Sequence, residues 1–460
     1  MKNIFDSSVY QARRAKLKEA ISTGVAVFLG NQELPMNYTS NTFPFRQDST
    51  FLYFFGHSIP HIAAIIDFEE GKEILFGDNF DIDDIIWMGS QPTIAQLAQE
   101  VGISESRPFN ALNSYLKGRT IHYLYPYQAE NQILLSDILE LPLSQLRSLA
   151  SPVLTKAIVQ LRSVKEAQEI EQIENACEIG VKMHLAVMQS CKSGISEKYL
   201  AGLAEGISLS YGNGVSFPII LSQHGETLHN HKHDTILKSG NLLLMDAGAE
   251  NLYHYASDYT RTIPVNGIFE TRHRELYEIV LRANTEAIAA SKPGILYRDV
   301  HLLAAEIIAE GLKALGLMKG NCKEAVAHGA HALFFPHGLG HQLGLDVHDM
   351  ENLGENFVGY DETIQRSTQF GLSALRMARE LKPGFVITVE PGIYFIPELI
   401  DIWRQEKKLE EFINYEKVEQ YRDAGGIRIE DDILITENGC RLLGPSLPKT
   451  VSDITEIVNG

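Results

Sequence analysis

A chain of 460 residues with 44% hydrophobic residues carries enough apolar material for two or three sizeable cores. Its formal charge of −19 argues against a nucleic-acid partner, whose phosphates need a basic surface, and no window reaches the 18 uncharged apolar residues of a membrane span. The start, Met1-Lys2-Asn3-Ile4-Phe5-Asp6, lacks the apolar stretch of a secretory signal, and Cys177, Cys191, Cys322 and Cys440 show no CxxC spacing; reduced thiols in a cytoplasmic protein are expected.

Taken in order, residues 8–21 predict a helix with Arg13, Arg14, Lys16 and Lys18 on its solvent side. Four strand-like runs follow at 24–29, 50–55, 62–68 and 73–76, each short, β-branched or aromatic, and bounded by Gly, Asn or Asp. Residues 93–101 read as a helix and 121–124 as a strand, so a mixed sheet flanked by helices is expected. Arg46-Gln47-Asp48 and Trp87-Met88-Gly89 are the most distinctive words here, and composition alone reads them as structural. A composition shift at Leu149-Ala150-Ser151-Pro152 divides the chain into an α/β domain, 1–152, and a second domain, 153–460.

Beyond the boundary the pattern becomes helical. Ile170, Ile173, Cys177, Val181, Leu185 and Met188 recur at helical steps, the run stops near Gly194, and another helix starts after Ser196. The plan then repeats: a helix through Leu276, Ile279, Val280 and Ala283 stops near Gly294, and a further one covers 299–315. The same glycine terminator used twice predicts a duplication. In the first half a histidine-rich segment (His224, His229, His231, His233) leads into an apolar strand ending on Asp246; in the second, His337, His341 and His348 precede a strand ending on Glu390. Two pseudo-symmetric halves closing on one site would bring those carboxylates together.

Asp258 follows Asp246 at a distance that fits a hairpin, so the two acids are expected to face one another. Residues 425–435 read as one strand carrying Glu430, Asp431 and Asp432, with Arg428 and Glu430 on one face. A single such acid is more often a capped turn or an ion-pair partner. Several at strand ends, beside His337-Gly338-Leu339-Gly340-His341, point instead to a hard, oxygen-rich metal site. Its preference is Mn²⁺, with Co²⁺, Fe²⁺ or Zn²⁺ as alternatives, and two such cations favour hydrolysis.

In order, Asp246-Ala247-Gly248, Ser257-Asp258-Tyr259-Thr260-Arg261-Thr262, His337-Gly338-Leu339-Gly340-His341, Leu345-Asp346-Val347-His348-Asp349, Thr388-Val389-Glu390-Pro391-Gly392 and Arg428-Ile429-Glu430-Asp431-Asp432 resemble the aminopeptidase P and prolidase family of Xaa-Pro metallopeptidases. The resemblance covers nearly the whole chain. It implies an α+β fold: a C-terminal pseudo-two-fold pita-bread catalytic domain preceded by an α/β creatinase-like N-terminal domain. It also implies two divalent metal ions, usually manganese, held by Asp246, Asp258, His341, Glu390 and Glu430, with Asp258 and Glu430 shared. His229, His337 and His348 match the family's catalytic histidines, Glu390 its proton shuttle, and Arg428 a partner that holds carboxylates in place. Arg162, Arg376 and Trp87 match substrate-side positions; Trp87 resembles a tryptophan that reaches a neighbouring subunit, which implies a homodimer or homotetramer.

The interval from Asp246 to Asp258 is one residue longer than the family's usual spacing, so a bulged hairpin is expected, and His231 and His233 are expected in a solvent-exposed loop. The substrate implied is a peptide with proline in the penultimate or C-terminal position. An Xaa-Pro aminopeptidase is the reading adopted; Arg376, which matches a prolidase arginine for the carboxylate of a C-terminal proline, keeps Xaa-Pro dipeptidase as the alternative. All five ligand positions are filled, which disfavours an inactive binding module and a metal-independent creatinase. No HExxH or GxSxG occurs, and the glycines after His337 are off the dinucleotide-binding spacing.

Overall fold

The computed structural model describes residues 4–460; the first three residues of the N-terminal stretch read above lie outside them. The chain forms two compact units, one ending at Arg162 and including Asn352–Phe357, the other Ser163–Glu351 with Val358–Gly460.

In the first unit a mixed five-stranded sheet runs Glu105–Arg107, Glu73–Phe76, Ala63–Asp67, Val25–Leu29, Ile121–His122, antiparallel in the middle and parallel at both outer pairs. Val27, Ile65, Ile74 and Phe76 from its strands pack with Leu112, Leu116 and Leu135 from helices. The run expected as a strand at 50–55 is instead the helix Ser49–Phe55. Asp48 caps it by accepting the Phe51 N–H, and Gly56 ends it in the left-handed region. Every residue of that helix is buried, so it has no polar face to reveal its period. Arg13 and Arg14, expected to face water, are buried for a related reason. They donate to the carbonyls of Tyr53 and Phe54, which the last turn of that helix leaves without partners, and Arg14 also pairs with Glu73 at 2.8 Å.

The second unit shows its duplication in hydrogen bonds. In one half Gly194 donates to the Leu237 carbonyl and Leu237 back to Ile195; in the other, Gly294 donates to Leu381 and Leu381 to Ile295. Ser196 bridges Ile236 as Leu296 bridges Glu380, and long helices precede and follow each turn: Ala167–Ser190 and Glu197–Tyr211, then Thr271–Ala290 and Tyr297–Ala314.

Each half then delivers an antiparallel ladder. Leu242–Ala247 pairs with Tyr259–Pro264, and the register of Asp246↔Thr260 continues unbroken through Glu250↔Ala256. The expected bulge is therefore not there: the extra length sits in the turn, where Asn251 donates to Tyr255 and His254 takes φ +67. In the second half Val386–Val389 pairs with Asp431–Ile435, and Gly392–Tyr394 with Gly426–Arg428. The single strand expected at 425–435 is thus broken in two. Its partner carries Pro391, which has no N–H for the ladder, and Glu430 turns to donate to the Thr260 carbonyl at 3.0 Å, joining the two halves.

Gly194 and Gly294 take φ +91 and +83 with open space where a Cβ would stand. Substituting either by Ala should cost only backbone strain, about 1 kcal/mol. Equal losses in urea unfolding are expected from equivalent turns; a loss at one position only would contradict the equivalence.

Candidate metal centre

The two ladders bring the predicted carboxylates together. Extending Val389↔Asp431 by one step sets Glu390 directly opposite Glu430. Extending Ala247↔Tyr259 by one step sets Asp258 opposite Gly248, on the same face as Asp246. Like charges opposite one another destabilise a ladder unless something lies between them. His341 completes the group: its Nε2 lies 3.4 Å from Asp258 Oδ2 and 3.6 Å from Glu390 Oε1. Donor atoms of Asp258, His341 and Glu430 all fall within 4.8 Å of one another. Gly340 permits this approach, since a Cβ there would stand 2.1 Å from the Thr388 carbonyl oxygen.

The donor set fits a hard cation. Asp246 Oδ1 and Asp258 Oδ1 are buried with no hydrogen-bond partner among the described residues, a costly state for an acceptor. Burial, reinforced by Glu430 and Asp246, holds the Asp258 carboxyl well above the usual range; burial, reinforced by Glu390 and Asp246, does the same for Glu430, and burial pushes Glu390 up to about 7. Burial, with His348 beside it, holds His341 well below the usual imidazole value. As a neutral ring it donates from Nδ1 to the Gln342 carbonyl, 3.0 Å away, which leaves the Nε2 lone pair aimed at the carboxylates.

Arg428 lies where the resemblance implied a carboxylate partner. It donates to Asp246 Oδ2 at 2.6 Å and to Thr260 Oγ1 at 3.1 Å, and the Thr260 hydroxyl donates onward to Glu430 Oε2 at 2.7 Å. Its third contact, 2.7 Å to the Tyr394 hydroxyl, sets a tautomer. Arginine can only donate, so the tyrosine O–H is left for His337 Nε2, 2.8 Å away, and Nδ1–H of His337 goes to the Gly338 carbonyl. Tyr394 was missed in the sequence; alternation from Gly392 along its strand is the signal that would have found it.

A cavity of about 500 Å³ opens over these groups, lined also by Phe217, Leu228 and Val347. His229, His337, His348 and Arg376 all line it, His229 exposed and the other three half-buried. Burial and the charge of Arg428 push His337 down to about 3. His348 holds Glu351 at 2.5 Å, and Glu351 lies 3.5 Å from Arg376. His231 is exposed, as expected, yet lines the cavity; His233 is half-buried, its Nδ1 2.9 Å from the Leu221 carbonyl. In the first unit, Arg162 is buried and donates to Thr50 Oγ1, whereas Trp87 is 84% exposed on the helix Ile82–Met88.

Because burial and neighbouring acids raise the Asp258 and Glu430 carboxyls well above the usual range in the metal-free protein, a bound cation competes with protons there. Affinity should rise with pH, and calorimetry in buffers of different ionisation enthalpy should register released protons; an enthalpy independent of buffer would refute this. Raised carboxyl values also mean that the metal-free folded chain binds more protons than the unfolded one. Its stability should therefore fall as pH rises from about 4, the unfolded carboxyl value, through about 7, the value of Glu390. Urea midpoints in chelator at pH 5 and pH 8 would show the difference, and added metal should restore the loss.

Residues 171–437 match the family model described as metallopeptidase family M24, and residues 10–123 that of the aminopeptidase P N-terminal domain. The human Xaa-Pro dipeptidase is 32% identical over 97% of this chain and 91% of its own length. A probable Xaa-Pro aminopeptidase of Fusarium vanettenii is 35% identical over 90% of this chain and 88% of its own. The solved aminopeptidase P of Escherichia coli with the inhibitor Pro-Leu superposes with a TM-score of 0.80 at 29% identity, covering 99% of this chain and 98% of that one. The duplicated ladders and the converging acids are thus the pita-bread fold, and the chain belongs to metallopeptidase family M24, a metal-dependent peptide hydrolase.

Proposed function

We propose that the protein is an Xaa-Pro aminopeptidase, releasing the N-terminal residue from peptides with proline in second position. The observation that carries the reading is the cavity itself: four acids and His341 line one peptide-sized space together with further imidazoles and apolar side chains. Asp246, Asp258, His341, Glu390 and Glu430 would hold two divalent ions, with Asp258 and Glu430 shared, and the oxygen-rich set favours Mn²⁺. Bound there, such ions would make a water molecule acidic at neutral pH and polarise the scissile carbonyl.

The remaining steps belong to the chain. Glu390, at the edge of the metal set and lining the cavity, takes a proton from the attacking water and passes it to the leaving proline nitrogen. His229 and His348 orient the peptide, and His229 donates to the oxyanion developing on the scissile carbonyl. His337 receives the Tyr394 O–H at Nε2 and gives its Nδ1–H to Gly338, so it holds the tyrosine in place and offers the peptide its ring face. Arg428 keeps Asp246 and Thr260 in place.

A second reading, Xaa-Pro dipeptidase, is favoured by one observation: Arg376 lines the same cavity and could take a free proline carboxylate. The relatives named above carry both activities in their names. Chelated protein restored with Mn²⁺ should cleave Xaa-Pro-Yaa faster than Xaa-Pro. The opposite order, lost selectively in Arg376→Ala, would hand the function to the dipeptidase. Asp258→Ala should abolish both activities, and undiminished turnover would contradict its place in the metal site.

We further infer a cytoplasmic homodimer or homotetramer. Ile82, Ile86, Trp87 and Met88 are each at least 65% exposed on one short helix, an apolar patch that association would cover. Sedimentation should find an oligomer that Ile86→Glu with Trp87→Glu dissociates; a wild-type monomer would overturn the inference.

A further inference from the structure

The segment from His341 to His348 is held at its two ends by different means. At the His341 end a ladder ties it to the neighbouring strand: Thr388 donates to the His341 carbonyl at 3.0 Å, His341 N–H to Thr388 Oγ1 at 3.2 Å, and Leu343 N–H to Val386 at 3.1 Å. At the His348 end the fastening is an ion pair. Lys165 Nζ lies 2.7 Å from Asp349 Oδ2, with both side chains 1% exposed. The Asp349 carboxylate also accepts the Asp346 N–H at 3.3 Å, and its own N–H closes the loop on the Gln342 carbonyl at 2.9 Å. Lys165 is fixed in turn, its backbone N–H donating to Gly384 at 2.8 Å. Gly344 lies so close that a Cβ there would meet Asp349 Oδ2 at 2.6 Å and Lys165 Cε at 2.9 Å.

A buried lysine–carboxylate pair is a poor source of stability, because two charges must leave water to form it. Its physical advantage is directional: an unpaired buried charge is so costly that the pair admits one arrangement of the chain around it. Here the residue so fixed is the immediate neighbour of His348, whose ring lies 4.2 Å from that of His341.

We propose that Lys165 is a positioning residue for the peptidase reaction, acting through Asp349 to hold His348 against the substrate cavity, while the backbone of the metal ligand His341 is held chiefly by its ladder to Thr388. The proposal rests on the reading of His348 as a substrate-orienting group. Removing the lysine charge should therefore lower turnover and leave metal binding alone.

The test is a double-mutant cycle on the full-length, Mn²⁺-loaded protein with an Xaa-Pro-Yaa tripeptide. Lys165→Met should lower kcat about 10- to 100-fold, the scale of a displacement near 1 Å, with KM and the Mn²⁺ titration midpoint within about twofold. Combined with His348→Ala, it should add no more than about a twofold loss to that single variant, since both act on one group. Losses that multiply, a kcat within twofold of wild type, or a shifted Mn²⁺ midpoint would each overturn the proposal. Should Lys165→Met not fold, the near-isosteric Asp349→Asn carries the same expectations and the same refutations. A wild-type protein that cleaves no proline peptide would refute the function proposed above, a result readily told apart from active wild type with an equally active Lys165→Met.

Discussion

Mutual repulsion of buried carboxylates is the constraint around which this molecule is built. Glu390 faces Glu430 across a ladder, Asp246 and Asp258 share a face of the other ladder, and all four line one cavity. In water such charges would part; in the interior the backbone holds them together, so the repulsion must be met where it arises. Arg428 meets part of it at Asp246, and the Thr260 hydroxyl meets part at Glu430. Protons or divalent cations must meet the rest. Metal affinity, proton uptake and stability are therefore one coupled equilibrium in this unit.

Duplication explains how a fold can impose so unfavourable an arrangement. Each half supplies a three-stranded antiparallel sheet, accompanied by long helices and the same glycine turn. Two rigid ladders that meet at Thr260 and Glu430 leave their strand-end acids no room to separate. Both halves keep one register through their acids; in the second, alternation along the ladder turns the Glu430 N–H outward, where it donates to the Thr260 carbonyl of the other half.

This duplication also explains what the sequence disclosed. Acids at strand ends and glycines at φ near +90 are local signals, and the chain spelled out Asp246, Asp258, Glu390, Glu430 and the paired turns at Gly194 and Gly294 through them. The break at Pro391 was legible too, in a residue without an N–H, but only to a reading that already knew its partner strand. Three features could not be read at all from local pattern. Ser49–Phe55 is buried on every side, so helix and strand look alike despite Asp48 and Gly56 at its ends. Arg13 and Arg14 are buried by carbonyls of that same helix, a tertiary demand invisible in a run of basic residues. The hairpin's extra residue belongs to a turn because Asn251 closes on Tyr255, a bond that spacing alone cannot reveal.

The most consequential of the unread contacts is the one at Tyr394. Arg428 touches Asp246, Thr260 and Tyr394 at once, so the group that offsets charge at the metal end also fixes the hydroxyl that His337 receives. A guanidinium has five donors in a rigid plane, and its three contacts here converge from three strands, two of the first half and one of the second. The same guanidinium plane thus links Asp246 to Tyr394, while His341 and His348 sit on another loop, held to Gln342 and Glu351. The cavity is consequently supported from two directions: one rigid plane couples Asp246 to His337, and one buried loop carries His341 and His348. Precision on the scale that peptide hydrolysis demands follows from that division, because each support has a single arrangement in which its buried charges are satisfied.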